Sequence, residues 1–172
     1  MEYLSTHEAR NNFIANLASS LDSNTLLLAQ YVEKQLLPLH ENIVNRCDDD
    51  RPVYLVYGAT PTADLEDIRG LVEKNDNCII VASYGTFSLG VNIKRIHNII
   101  FASPYKSQIK VLQSIGRGLR IAGDKRSLQL FDISDDLCYN GKNNYTLNHL
   151  SERIKIYATE DFDYDIIPVK LK

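Results

Sequence analysis

Between Pro104 and Ile121 the sequence places Lys106, Lys110, Gln113, Arg117 and Arg120 at intervals of four, three, four and three. At about 100° per helical residue, these five side chains fall within roughly 80° of one another. Leu112, Ile115 and Leu119 lie on the opposite side, available for packing. Four cations and one amide on a single stripe suit a polyanion, phosphate groups above all. The same stripe could serve as a solvated face whose long side chains lie along apolar surface. Gly116 and Gly118 weigh against that use. Each costs about 1 kcal/mol against alanine in a helix, and glycine allows another backbone or a phosphate to come close.

A second group of phosphate-binding types follows the apolar run CIIVAS, in the stretch SYGTFSLGVNI. Gly85 and Gly90 are there with Ser83, Thr86 and Ser88 as hydroxyl donors. A small-residue loop leaving a parallel strand can turn backbone N–H groups toward phosphates. Other matches fail. Gly118 to Gly123 has the spacing of a P-loop, but Asp124, Lys125 and Arg126 follow in place of Gly-Lys-Thr. Gly116 and Gly118 lack the third glycine of a dinucleotide fingerprint. Asp132, Asp135 and Asp136 read as strand-end and turn residues, so no metal site is expected. His7, His40, His97 and His149 have no ligand spacing and read as structural.

Composition sets the frame. At 172 residues the chain can build one domain with a proper core, and 44% hydrophobic with 24% charged residues is ordinary for a soluble globular protein. No apolar run approaches the roughly 18 residues that span a bilayer, and the polar start MEYLSTHEAR is neither a signal nor a transit peptide. Cys47, Cys78 and Cys138 are odd in number and far apart, which points to reduced thiols in a cytosolic compartment. The net charge of −3 hides an asymmetry: Asn77 to Phe131 carries +7 and the remainder −10. A basic segment on an acidic background fits a directed anion site, or a solvated face balanced by acids elsewhere.

These groups need elements to position them. STHEARNNFIANLASSL reads as a helix opened by a capping box, Ser5 with Glu8, and buried through Phe13, Leu17 and Leu21. Thr25 to Tyr31 reads as a buried strand, and VEKQLLPLHENIV as a helix bent or interrupted at Pro38. A strand ending at Tyr57 precedes a helix capped by Thr62, with Asp64, Glu66 and Asp67 crowding its first turn. CIIVAS and NIIFAS read as strands covered on both faces. A helix from about Ser107 to Arg120, a strand from Ser127 to Ile133 and a helix from Tyr145 to about Ala158 complete the pattern. The alternation predicts an α/β fold, a parallel sheet with helices on both faces. Ligands then bind beyond the C-terminal strand ends, at the loops after Tyr57, Ser83, Ser103 and Ile133.

Taken together, VASYGTFSLGVNI and QSIGRGLR resemble motifs V and VI of the second RecA-like domain of superfamily-two helicases. Gln113, Gly116, Arg117 and Arg120 match the motif VI pattern Q-x-x-G-R-x-x-R, and Gly90, Val91 and Asn92 match the core of motif V. TLLLAQYVEKQL is similar to motif IV, and the wording as a whole comes closest to phage UvsW-type DNA helicases. The resemblance covers nearly the whole chain and is strongest from Ile79 to Arg120. It implies a RecA-like sheet without its own P-loop, at residues 25–140, a connector at 1–24, and a C-terminal helix with an acidic, aromatic tail at 141–172.

The resemblance also implies roles. Arg117 and Arg120 would be arginine fingers on the γ-phosphate of ATP, with Gln113, Gly90, Asn92 and Gly116 at the nucleotide. Ser83, Tyr84, Gly85, Thr86, Lys106 and Lys110 would touch nucleic acid. No P-loop and no Asp-Glu box occurs in this sequence, so ATP and Mg2+ would be held mainly by an N-terminal RecA-like half, cut away or separately encoded. The arginine that the family often carries near Leu65 is absent. The expected partner is DNA, branched or at single-strand to duplex junctions, in the cytoplasm (the host's, for a phage protein), with roles in repair and recombination. Two rivals stand beside this: a non-hydrolysing RecA-like module that binds nucleic acid or a partner, and a stand-alone enzyme with a Rossmann-like site.

Overall fold

The computed structural model describes residues 2–88, 95–103, 128–138 and 144–171. Among the described residues, five short strands form one sheet: β1 Thr25–Ala29, β2 Val53–Val56, β3 Ile79–Ser83, β4 Asn98–Phe101 and β5 Gln129–Asp132. Their order is β2-β3-β1-β4-β5, and every neighbouring pair is parallel. The first strand of the chain is therefore the middle of the sheet, with Leu27 opposite Val81 on one side and Ile100 on the other.

Side chains alternate between the two faces of a strand, and both faces here are covered, so β1, β3 and β4 are buried at every position. Leu26, Leu28, Ile80, Ala82, Ile99 and Phe101 share one core with Val72 of α4 (Thr62–Lys74) and Tyr157 of the last helix, α6 (Tyr145–Thr159). Leu27, Ala29, Ile79, Val81, Ile100 and Ala102 share the other with Ile14, Ala15 and Ala18 of α2 (Glu8–Ser20) and Leu39 and Ile43 of α3 (Leu37–Val44). This is the α/β sheet that the alternation of strands and helices predicts.

Several local expectations change. The first helix is two helices, α1 (Glu2–Thr6) and α2, separated at His7. His7 is the cap: its backbone is extended and its Nδ1 accepts from the Arg10 N–H at 3.2 Å. Ser5 lies inside α1, where its carbonyl accepts from Asn11 Nδ2, so the Ser5–Glu8 capping box does not form. Phe13, Leu17 and Leu21 only flank the buried face, which is carried by Arg10, Asn11, Ile14, Ala15 and Ala18. Thr62 is the first helical residue of α4 behind Pro61 and makes no side-chain cap, and Asp64 alone lies in the first turn. The interruption near Pro38 is a π-helical turn, Val32–Leu36, running into α3 with the proline in its first turn. The segment after β3 begins as a helical turn, α5 (Tyr84–Ser88).

Asn24 closes the N-terminal edge of the sheet. Its fully buried amide donates to the carbonyls of Val72 (3.2 Å) and Asn75 (2.7 Å) and accepts from the Cys78 N–H (3.0 Å). Burial pushes the neighbouring Cys78 thiol up to about 11, partly offset by Arg51. At pH 8 only about one such thiol in a thousand is ionised, and the thiolate is the reactive form. Iodoacetamide at pH 8, read by peptide mass spectrometry, is therefore expected to modify exposed Cys138 and spare Cys78. Equal labelling of both would show this edge to be open.

Candidate functional site

At the C-terminal edge, β3 and β4 flank β1, so the segments that follow them leave the sheet two strand spacings apart, roughly 10 Å. Ser83, Tyr84, Gly85 and Thr86 stand on this edge. Arg117, Arg120, Gln113, Gly116, Gly90, Asn92, Lys106 and Lys110 lie outside the described residues. Of the eight cations between Asn77 and Phe131, Arg95 is described, and it sits at the opposite edge. There it donates to the Glu73 carbonyl (2.9 Å) and pairs with Asp76 (3.2 Å) at the end of α4.

The hydroxyls after β3 turn inward. Ser83 Oγ and Thr86 Oγ1 lie 2.8 Å apart and are buried, and the Thr86 N–H reaches Ser83 Oγ at 3.4 Å. The buried Tyr84 ring lies beside Phe101, and its hydroxyl donates to the Ser103 carbonyl at 3.2 Å. Gly85 is exposed, with open space where a Cβ would stand. What this turn shows to solvent at Gly85 is backbone.

A buried network joins the ends of three strands. Ser103 Oγ donates to Gln35 Oε1 at 2.6 Å and accepts from the Gln30 N–H at 3.3 Å. Gln35, in the π-helical turn, also donates from Nε2 to the Ala102 carbonyl at 3.1 Å. Side chains following β1 and β3 thus meet at Ser103, the residue before Pro104. A small cavity beside the network is lined by Leu4, Ser5, Arg10, Tyr31, Gln35, Ala102 and Ser103.

Two buried arginines converge on the segment after β5. Arg153 of α6 holds Asp132 through Nε (2.6 Å) and Nη2 (2.9 Å), and Nη2 also reaches Ser134 Oγ at 2.6 Å. Tyr157 donates to the same carboxylate at 2.7 Å. Burial first, then the charge of Asp132, raises the Tyr157 hydroxyl far above its ordinary value, so it stays a donor. From the other face of the sheet, Arg10 of α2 donates through Nε to Asp135 at 2.7 Å. Its two Nη atoms are buried and have no hydrogen-bond partner among the described residues. Asn144 caps α6 by accepting from the Thr146 and Leu147 N–H groups, and donates to the Asp135 carbonyl and Asp136 carboxylate. Hydrogen bonds from the Cys138 N–H and side chain, then from Asn144, hold the Asp136 carboxyl below its ordinary value.

Sequence reasoning missed both clamps, although a signal existed. Arg10 lies four residues before buried Ile14, and Arg153 four before buried Tyr157, so each sits on a packing stripe where a charge requires a partner. The three aspartates near β5 are engaged by these protein groups.

An all-parallel sheet of this order, covered by helices on both faces, defines the class: a RecA-like domain of the helicase C-terminal kind. The C-terminal domain of the DEAD-box protein Dbp5 shares the fold, with a TM-score of 0.61 at 12% identity over 90% of this chain and 82% of that one. Within the class, the chain is related to UvsW of Enterobacteria phage T4, an ATP-dependent DNA helicase. The two are 35% identical over 177 aligned positions, which cover 94% of this chain and 34% of the phage protein. The crystal structure of T4 UvsW matches with a TM-score of 0.74 at 36% identity, over 91% of this chain and 34% of that one. The chain thus spans about a third of the length of this relative. No protein-family model matches it. Among the described residues, no helix is long and apolar enough to cross a membrane.

Proposed function

We propose that the chain is the second motor domain of an ATP-dependent helicase or translocase that remodels branched DNA. The observation that carries this reading is the 35% identity, over 94% of the chain, to a phage ATP-dependent DNA helicase of which the chain spans only a third. In this reading residues 25–140 are the RecA-like unit, 1–24 lead in from an N-terminal RecA-like half, and 141–172 form the closing helix and tail. The protein works in the cytoplasm, the host's if it is phage-encoded.

In this reading the nucleotide site is shared between two halves. Mg2+ is then held mainly by the N-terminal half, while Asp132, Asp135 and Asp136 here are engaged by arginine, tyrosine, amide and backbone donors. ATP, when bound there, supplies the γ-phosphoryl group for transfer to water. Arg117 and Arg120 offset the charge that develops on it, and Gln113 and Gly116 hold the stripe against the nucleotide. Residues 83–92 link nucleotide to DNA, with Gly90 and Asn92 on the nucleotide side and the exposed backbone at Gly85 among the DNA contacts. Lys106 and Lys110 add phosphate contacts, with little reading of bases.

The test joins this chain to a P-loop-bearing RecA-like half and measures phosphate release with and without forked DNA. Turnover that requires both halves and rises with DNA is the expected result. Tight ATP binding or turnover by this chain alone would overturn the shared site. DNA binding without DNA-dependent turnover would favour a non-hydrolysing module.

A further inference from the structure

We propose that residues 161–171 are a docking strand, a clasp that lies across the N-terminal RecA-like half of the protein. The proposal rests on the functional reading above, in which two halves meet at the C-terminal edge of this sheet.

The exit of the tail from α6 is built. After the helix ends at Thr159, Asp161 takes a left-handed backbone (φ 58°) and the Phe162 N–H donates to the Tyr157 carbonyl at 2.9 Å. This is the six-to-one bond of a Schellman motif, which turns a chain off its helix in a set direction. The Tyr164 ring then lies beside the Tyr157 ring, with 6.3 Å between centroids. Tyr157 is itself bonded to Asp132, the last residue of β5. The tail therefore departs from the C-terminal end of an outer strand, next to the edge at which the halves meet.

Beyond that point the segment has the sequence of a strand, yet among the described residues no strand pairs with it. Phe162, Tyr164 and Ile166 alternate with Asp161, Asp163 and Asp165, which gives one apolar and one acidic side. Pro168 cannot donate to a ladder and biases Ile167 toward extended backbone. Every residue from 161 to 171 is exposed, Ile166 at 66% and Ile167 at 77%. Phe162, Tyr164, Val169 and Leu171 are exposed with them. A continuous apolar row of this kind marks an interaction surface.

Reach, length and charge name the partner. Eleven extended residues span up to about 36 Å, more than the roughly 30 Å width of a small domain. The chain matches 34% of its phage relative, so a protein of that kind has two thirds of its length available to cover the tail. The three aspartates call for cations along the receiving surface. Strand addition supplies the rest: main-chain hydrogen bonds hold the segment, and pockets take alternate side chains.

Amide hydrogen exchange, read by peptide mass spectrometry, compares this chain alone with the protein carrying both halves. Residues 163–171 exchange fast in the chain alone and at least about tenfold slower in the two-half protein. Ile166→Asp combined with Ile167→Asp restores fast exchange. The unfolding midpoint of the chain alone stays where it was, because both side chains are exposed. Fast exchange in the two-half parent overturns the clasp, and so does protection that survives the double substitution. Slow exchange in the chain alone that deepens with concentration assigns the tail to a second copy and overturns the clasp as well. The functional reading has a separate readout. A protected tail without DNA-stimulated turnover removes that reading and leaves the clasp, whereas turnover with an unprotected tail removes the clasp alone.

Discussion

If Arg117 is the arginine finger proposed above, Arg117→Ala is expected to lower the DNA-stimulated ATP turnover of the two-half protein by about three to five orders of magnitude. The size follows from where charge moves. In phosphoryl transfer, negative charge spreads over the γ-phosphoryl oxygens as the bond to the leaving group lengthens. In the proposed role, a guanidinium held at those oxygens would stabilise that charge without reorganising at the moment of reaction. Arg117→Lys recovers little, because an ammonium is a point charge that cannot reproduce the planar fork of donors. The measurement is steady-state phosphate release at saturating DNA and ATP. Turnover of Arg117→Ala within tenfold of the parent would remove Arg117 from the catalytic role.

The largest stability effect belongs to the α6 clamp. Arg153→Met is expected to destabilise the fold by about 3–5 kcal/mol, the range for removing one partner of a buried ion pair. Asp132 would lose two hydrogen bonds and its counter-charge while remaining beside the Tyr157 hydroxyl. Lys155→Ala, on the same helix, breaks an exposed pair with Glu152 and costs less than about 1 kcal/mol. Urea unfolding of the two variants separates the cases. Replacing Arg153 and Asp132 together by apolar residues should cost less than replacing Arg153 alone, since no charge is stranded. A pH scan adds a check. The raised Tyr157 hydroxyl contributes stability that is fully present below the tyrosine value of about 10 in the unfolded chain. That contribution is lost as pH rises above it. An Arg153→Met variant as stable as the parent would show the clamp to be incidental.

Much of the sheet was legible because its interior strands are apolar on both faces. TLLLA, IIVAS and NIIF stand out without any knowledge of their neighbours. Their order was not legible, since placing β1 between β3 and β4 depends on crossovers that leave no local mark. Local competition hid the break at His7: Ser5 and Glu8 have capping-box spacing, but an imidazole two residues later takes the cap. The π-helical turn has no composition of its own. Of the predicted contact residues, Ser83, Tyr84, Gly85 and Thr86 fall on the expected edge. Their type suggested outward hydroxyls, but the packing of three strand ends against one another drew those hydroxyls inward. The arginine clamps were missed because each partner lies on a distant part of the chain or beyond a turn.

The Arg10–Asp135 pair also bears on how the chain is made. The two residues are 125 positions apart in sequence. At about 5–20 residues per second, synthesis leaves Arg10 waiting roughly 6–25 s for its carboxylate. Early in that interval β1, the middle strand, has neither neighbour, because β3 and β4 are both translated after it. A nascent chain stalled before Ile79 would expose the apolar side of α2 with its central strand unpaired. Chaperone capture on the ribosome should therefore be strongest before β3 and β4 have emerged.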